Sequence, residues 1–278
     1  MTGTVRRWVR SPKGNLTVLL CLLVAVAAPF VGIGRVAVQL AAAILISAGI
    51  DAAVSLARRG SVALPDGAVI TGLIVGLVLG PGAPLGATLI AAGAATASKH
   101  IFRAPQFHLF NPAAFGLLAS LLLLPNAQSW WGALGDLPAP FLGVLLMGGG
   151  VIAWRVNKLA VSVAFLGSYF AAFTLAAIVV GGTNPSLAAV FRPPFLNAAI
   201  FFGCLMLTDP ATSPNRLSDQ LWFGAIAGIA SAAAFATTHG LHYLFIGLLV
   251  ANAWYAWQRT RAGSSIQPVP AVAQRSAS

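Results

Sequence analysis

The sequence predicts an all-α integral membrane protein with about ten transmembrane segments, several of them short or broken. Three observations predict this. Of 278 residues, 58% are hydrophobic and 8% charged, with a mean hydropathy of +0.87; a soluble domain carries about 25% charged residues. No water-facing fold of this length buries so much apolar surface, so the bilayer takes it. Apolar runs recur along the chain, and about 20 such residues span a bilayer. The shorter runs are interrupted by Gly, Pro and single polar residues, as discontinuous membrane helices are.

Ten segments follow in order: 15–31, 36–57, 66–80, 84–98, 111–124, 139–154, 159–181, 195–207, 220–237 and 240–257. The first follows the basic stretch MTGTVRRWVRSPKGN and has no small-residue cleavage site after it, so it reads as an uncleaved helix. The second carries Asp51, about two turns before Arg58 and Arg59, at a polar interior or at the cytoplasmic boundary. The third opens on Pro65-Asp66-Gly67, with Asp66 as a helix cap or a polar site residue. It continues into the stripe Gly72, Gly76, Gly80, which lets another helix approach closely, within the chain or from a second copy. The fourth ends in Lys99-His100-Ile101-Phe102-Arg103.

The fifth opens on Asn111-Pro112, a cap followed by proline at the first helical position. Its free N–H groups and positive dipole end suit an anionic or carbonyl-rich ligand. The sixth and seventh flank Arg155 and Lys158. The eighth, FFGCLML, stops on Thr208-Asp209-Pro210-Ala211-Thr212-Ser213-Pro214. This break repeats the polar-cap-then-proline pattern of Asn111-Pro112 and suggests two structural repeats. An aspartate at membrane depth marks a functional site by default. The ninth and tenth are joined by THGLHYLF, where His239 and His242 have no third metal ligand nearby.

The 16 Lys and Arg residues orient the bundle. With the N-terminus in the cytoplasm, only Arg35 and Arg192 fall outside, as the positive-inside rule requires. Residues 1–14 then form a basic cytoplasmic N-terminus, 15–258 the transmembrane domain and 259–278 a disordered cytoplasmic tail. Trp130 and Trp131 are expected at the outer interface. Cys21 and Cys204 read as small buried hydrophobes. The basic residues are scattered between apolar runs, which argues against a nucleic-acid partner. No catalytic constellation and no metal site is expected.

Three blocks in order, LPDGAVITGLIVGLVLGPGAP, ASKHIF…FHLFNPAAFG and FFGCLMLTDPATSP, resemble the signatures of the NqrB/RnfD family, with WRVNKLAVSVAFLGSYF a weaker fourth. The resemblance covers about residues 40–250. It implies a urea-transporter-like helical bundle of two inverted repeats in a bacterial inner membrane, binding flavin and working beside redox partner subunits or a second copy. Family members with covalent FMN attach it to a threonine in a Ser-Gly-Ala-Thr loop after the NPA helix. The stretch here, residues 125–140, has no threonine, so no phosphoester forms there. Thr212 lies on the cytoplasmic side and is not expected to be an attachment point.

Any flavin, FMN or riboflavin, is then bound non-covalently. The residues assigned to that site are Asp66, Thr71, Lys99, His100, Arg103, Asn111, Thr208, Asp209 and Thr212. The leading expectation is a membrane subunit of a flavin-dependent, Rnf/Nqr-like electron-transport system associated with ion or electron transfer. The alternative is a flavin or small-solute transporter using the same inverted-repeat pocket, and a third is a structural or assembly role.

Overall fold

A computed structural model describes residues 2–61, 65–104, 107–124, 128–179, 184–238 and 242–262. A short helix α1 (Thr2–Val9) precedes α2 (Pro12–Val31), which starts where Ser11 Oγ accepts the Gly14 N–H at 3.1 Å and Pro12 takes the first helical position. Then come α3 (Ile33–Arg59), α4 (Asp66–Val78) and α5 (Leu85–Ile101). A two-residue hairpin, β1 (Arg103–Ala104) and β2 (Phe107–His108), leads to α6 (Pro112–Leu123). The second half holds α7 (Pro140–Arg155), α8 (Leu159–Val179), the short α9 (Pro185–Ala189), α10 (Phe195–Phe201), α11 (Leu217–Thr238) and α12 (Tyr243–Ala262). A π-helical turn, Phe202–Met206, extends α10.

Leaving α1 and α9 aside and joining α10 to its π turn gives ten apolar segments among the described residues, close to the expected bounds. Of these, α2, α3, α8 and α11 are long and apolar enough to cross a membrane. The helices α4, α6, α7 and α10 with its π turn are apolar but shorter. Leu45, Phe30, Leu122, Met147 and Ile178 are exposed. On a protein this apolar, such a surface is what lipid covers. The last helix runs to Ala262, four residues into the expected tail; the remainder of that tail lies outside the described residues.

The two halves pack alike. In the first, α4 lies on α2 and α3, α5 on α3, and α6 on α5; in the second, the α10 segment lies on α7 and α8, α11 on α8, and α12 on α11. Contacts of α2 with α7 and of α6 with α12 join the halves. An odd number of elements makes the second half start from the opposite face. Arg155, at the end of α7, donates to Asn15 Oδ1 at the start of α2, so these counterparts run in opposite directions.

This count corrects one part of the sequence reading. The breaks at Asn111 and at 208–214 are not counterparts of each other. Asn111 precedes the fifth element of its half, whereas 208–214 follows the third element of its own. Their counterparts lie on the opposite face, at the start of α12 and in the 79–84 turn.

The glycine stripe serves packing inside the chain. A Cβ on Gly72 would lie 2.7 Å from Ile44 Cα and 2.8 Å from the Ala43 carbonyl oxygen, so α3 sits directly on α4. Cys204 is buried as expected, but Cys21 is exposed, because it falls on the outward side of α2.

Trp130 and Trp131 also depart from expectation. They are 1% and 3% exposed. Their loop folds back into the bundle, where the Ser129 and Trp130 N–H groups donate to the Val78 carbonyl and Trp131 Nε1–H donates to the Gly76 carbonyl at 2.8 Å.

Candidate functional site: a polar cavity at the basic face

The ends of six elements converge on one face of the bundle: the starts of α2, α4 and α6 and the ends of α3, α5 and α7. With the 208–211 segment they enclose a cavity of about 540 Å³. Eight of the nine residues assigned from sequence line it: Asp66, Thr71, Lys99, His100, Arg103, Asn111, Thr208 and Asp209. The ninth, Thr212, is buried behind it and donates from Oγ1 to Asp209 Oδ2 at 3.2 Å.

The site is organised by the two breaks, which touch. Asn111 caps α6: its Oδ1 accepts the Ala114 N–H at 3.1 Å, with Pro112 at the first helical position. Its Nδ2–H donates to the Met206 carbonyl at 3.0 Å, in the other half of the chain. Asn252, on α12, accepts the Asn111 backbone N–H at 2.8 Å and donates to the Thr212 carbonyl at 3.3 Å. The amide of Asn111 thus spends itself on cap and seam. Among the described residues the N–H of Ala113, at the second helical position, has no such partner, and Ala113 lines the cavity.

The π turn adds to this seam. Widening a helix frees carbonyls, and these must be satisfied inside the protein at membrane depth. Ser162 Oγ donates to the Gly203 carbonyl at 2.8 Å, Thr208 Oγ1 to the Cys204 carbonyl at 2.6 Å, and Asn111 to that of Met206. Asp209 does not cap a following helix, since α11 begins only at Leu217. Its Oδ1 accepts the Ala211 N–H at 3.1 Å and Oδ2 the Thr212 hydroxyl, closing a local turn. Behind that turn, buried Lys158 donates from Nζ to the Ser213 and Pro214 carbonyls and to Asn215 Oδ1.

Two of the three aspartates that line the cavity have a basic side chain beside them. Asp66 is the first residue of α4, not its cap, and its carboxylate lies 3.7 Å from Lys13 Nζ. Asp51 Oδ1 sits 3.2 Å from His100 Nε2, which selects the polar-interior reading of Asp51. Lys99 Nζ and Thr71 Oγ1 both donate to the Gly67 carbonyl, each at 2.8 Å. In the hairpin, burial pushes the His108 imidazole below its ordinary pKa range, Asp209 pulls it back, and Lys99 and Arg103 push it further down. Its Nδ1 is buried, with no hydrogen-bond partner among the described residues. Val54, Ile70, Ile74, Ile152 and Leu205 supply apolar wall.

Sequence reasoning left out Arg58, His108, Lys158 and Asn252, and gave Asp51 no place in the site. Asn252 carried a readable signal, an amide inside an apolar helix. The others sit in stretches that composition reads as ordinary cytoplasmic loop or helix end. No group of three metal-ligating side chains occurs among the described residues, and His239 lies outside them.

The fold and this site define a class: an all-α, multi-pass membrane protein of two inverted halves with a polar cavity at its basic face. Residues 4–139 match the family model described as the NQR2, RnfD, RnfE family, which supports an assignment of NqrB/RnfD type. The match supports a membrane subunit of Rnf/Nqr-type electron-transport complexes, which work in a bilayer with partner subunits. No curated protein matches the chain.

Proposed function

We propose that this chain binds a flavin non-covalently in the basic-face cavity and takes part in electron transfer as a membrane subunit of an Rnf/Nqr-like system. The membrane is the bacterial inner membrane, with both chain ends cytoplasmic, as the concentration of Lys and Arg on the cavity face argues. The observation that carries the reading is the joining of two helix breaks by Asn111 and Asn252 at the wall of this cavity. Its volume lies within the roughly 300–1,000 Å³ of sites for drug-sized ligands.

The residues present fit such a group. The aliphatic wall suits a planar ring, and the Ala113 N–H, the His108 imidazole and the Lys99 ammonium offer polar contacts to ring carbonyls and nitrogens. The flavin, when bound, supplies the redox chemistry. The chain holds it, excludes water from its apolar side, and sets positive charge at Lys99 against a developing anion. No hydroxyl for covalent attachment is invoked.

Transport of a flavin or another small solute is the second reading. A cavity open at the basic face and closed opposite by buried Trp130 and its aromatic neighbours has the form of a one-side-open carrier. Absorbance of the protein purified in mild detergent separates the two. A near-stoichiometric yellow chromophore, reduced by dithionite and released by acid precipitation, is the expected result. A colourless protein that moves flavin into proteoliposomes would replace the redox reading. The folded Asp209→Asn and Asn111→Leu variants are expected to retain less flavin; full retention by both would remove the site assignment.

A further inference from the structure

Residues 128–135, between α6 and α7, lie beneath the floor of the cavity. Along α4 the cavity is lined from Asp66 as far as Ile74. Two residues on, a rise of about 3 Å, the loop takes over. Trp131 Nε1–H donates to the Gly76 carbonyl, and the Ser129 and Trp130 N–H groups donate to that of Val78. In the other half of the chain Leu205 lines the cavity, and the Trp130 ring meets those of Phe201 and Phe202, just before it. The loop therefore stands between the cavity and the opposite face.

It is held there against local preference. Trp130 (φ 52°) and Leu134 (φ 60°) bracket a 3-10 turn, Trp131–Ala133, in the left-handed region, which bulky side chains rarely adopt. Gln128 Oε1, Ser129 Oγ, Trp130 Nε1 and Asn197 Oδ1 are buried without a hydrogen-bond partner among the described residues. Asn197 belongs to this group because its Nδ2–H donates to the Ala133 carbonyl at 3.0 Å. Strain and orphaned polar groups of this kind gather in segments that switch. Packing opposes them: Trp130, Trp131, Ala133 and Leu134 are all buried. The seat has no room to spare, since a Cβ on Gly132 would lie 2.5 Å from Leu77 Cδ2. Outside the bundle the two indoles have the membrane interface, an environment that favours tryptophan.

We infer that residues 128–135 are a movable plug with two positions. One is seated, as here. In the other the loop is released toward the opposite interface, and the cavity floor opens to that face. The side chains named along this path are aromatic, aliphatic or amide, so the path suits a small neutral solute. The inference rests on the cavity and on no particular ligand of it.

Thiol labelling of the full chain in proteoliposomes tests the movement. In a Cys21→Ser/Ala133→Cys chain the new thiol stands in the seated loop, where Ala133 is 1% exposed, and Cys204, 5% exposed in the π turn, is the internal reference. A membrane-permeant maleimide, read by mass spectrometry, is expected to label position 133 at least about tenfold faster than Cys204, because local release is easier than opening the bundle. Gly132→Ala sets a methyl against Leu77. It is expected to raise both the labelling rate at 133 and the glycerol permeability of the proteoliposomes about tenfold or more, as an overpacked contact shifts an equilibrium. Adding Leu77→Ala makes room for that methyl and is expected to bring both back toward the unaltered loop, a rescue that a merely destabilised chain would not show.

Equal rates at 133 and Cys204 mean that the loop leaves only when the bundle opens, and overturn the inference. Faster labelling in Gly132→Ala with unchanged glycerol entry overturns it too, because the loop then moves but closes nothing. If Gly132→Ala does not fold, the two thiol rates in the chain without it decide alone. Flavin binding enters neither measurement, so the redox reading and the plug stand or fall separately.

Discussion

The two faces of this bundle are made by halves that pack alike, yet one is hollow and the other full. At the basic face, the elements end in small or short side chains such as Gly67, Ala68, Thr71, Ala113 and Ala211, and a cavity stays open. At the opposite face, the counterpart positions are filled by rings. Trp130 stacks on Phe245 with centroids 5.3 Å apart and meets Phe201 edge-on at 6.0 Å. Tyr243, at the start of α12, shares a buried hydroxyl–hydroxyl hydrogen bond with Tyr169 and packs on Phe235. Element order is shared by both faces, so it does not decide where a ligand fits. Side-chain volume at the element ends does.

Breaking the filled face is expected to give the largest effect. Trp130→Ala removes a buried indole and should lower unfolding stability by about 3–5 kcal/mol, read from denaturant titration in mixed micelles. Flavin affinity of the folded fraction is expected to hold, because the cavity lies at the other face. A large loss of affinity without a loss of stability would show that the faces are not independent.

Asn252→Leu attacks the seam between the breaks. It leaves the Asn111 N–H and the Thr212 carbonyl buried without their partner, at a cost of about 2–4 kcal/mol for the two groups. Here stability and flavin retention are expected to fall together. Retention at the level of the unaltered chain would show that Asn252 does not hold the cavity wall. A smaller loss, about 1–3 kcal/mol, is expected for Gly72→Ala, since the new methyl meets the backbone of α3. Thermal unfolding in the same detergent reads it.

The smallest effect is a pH trend. Lys158 lies in the turn between α7 and α8, and burial brings its pKa from 10.5 down to about 8, with Asp209 acting in the other direction. Between those values the unfolded chain binds more protons than the folded one, so stability is expected to rise as pH climbs through the window. Below about pH 8 the buried ammonium is charged in both states, and its desolvation cost is fully present. The melting temperature of the unaltered chain minus that of Lys158→Met should therefore increase from pH 8 toward 10. A flat difference would show that Lys158 does not titrate there.

Several errors of the sequence reading share one cause, namely that local rules do not see across the chain. Trp130 and Trp131 sit in a loop between helices, where aromatic residues usually mark the interface. Backbone hydrogen bonds to Val78 fold that loop inward instead. Asn111-Pro112 and Asp209-Pro210 look alike in sequence, yet one starts a helix and the other closes a turn, because only the first is followed by a run free to continue as helix.

The sequence by itself determined the solvent, the ten segments, the crowding of Lys and Arg on one face and the capped start of α6. Those follow from hydropathy, charge and capping chemistry, which act over a few residues. Only the tertiary structure decided that the two breaks meet, that Asn252 ties them, and that one face stays open while the other closes. Those depend on which side chains, far apart in the chain, come within contact distance, and on the volumes they bring there.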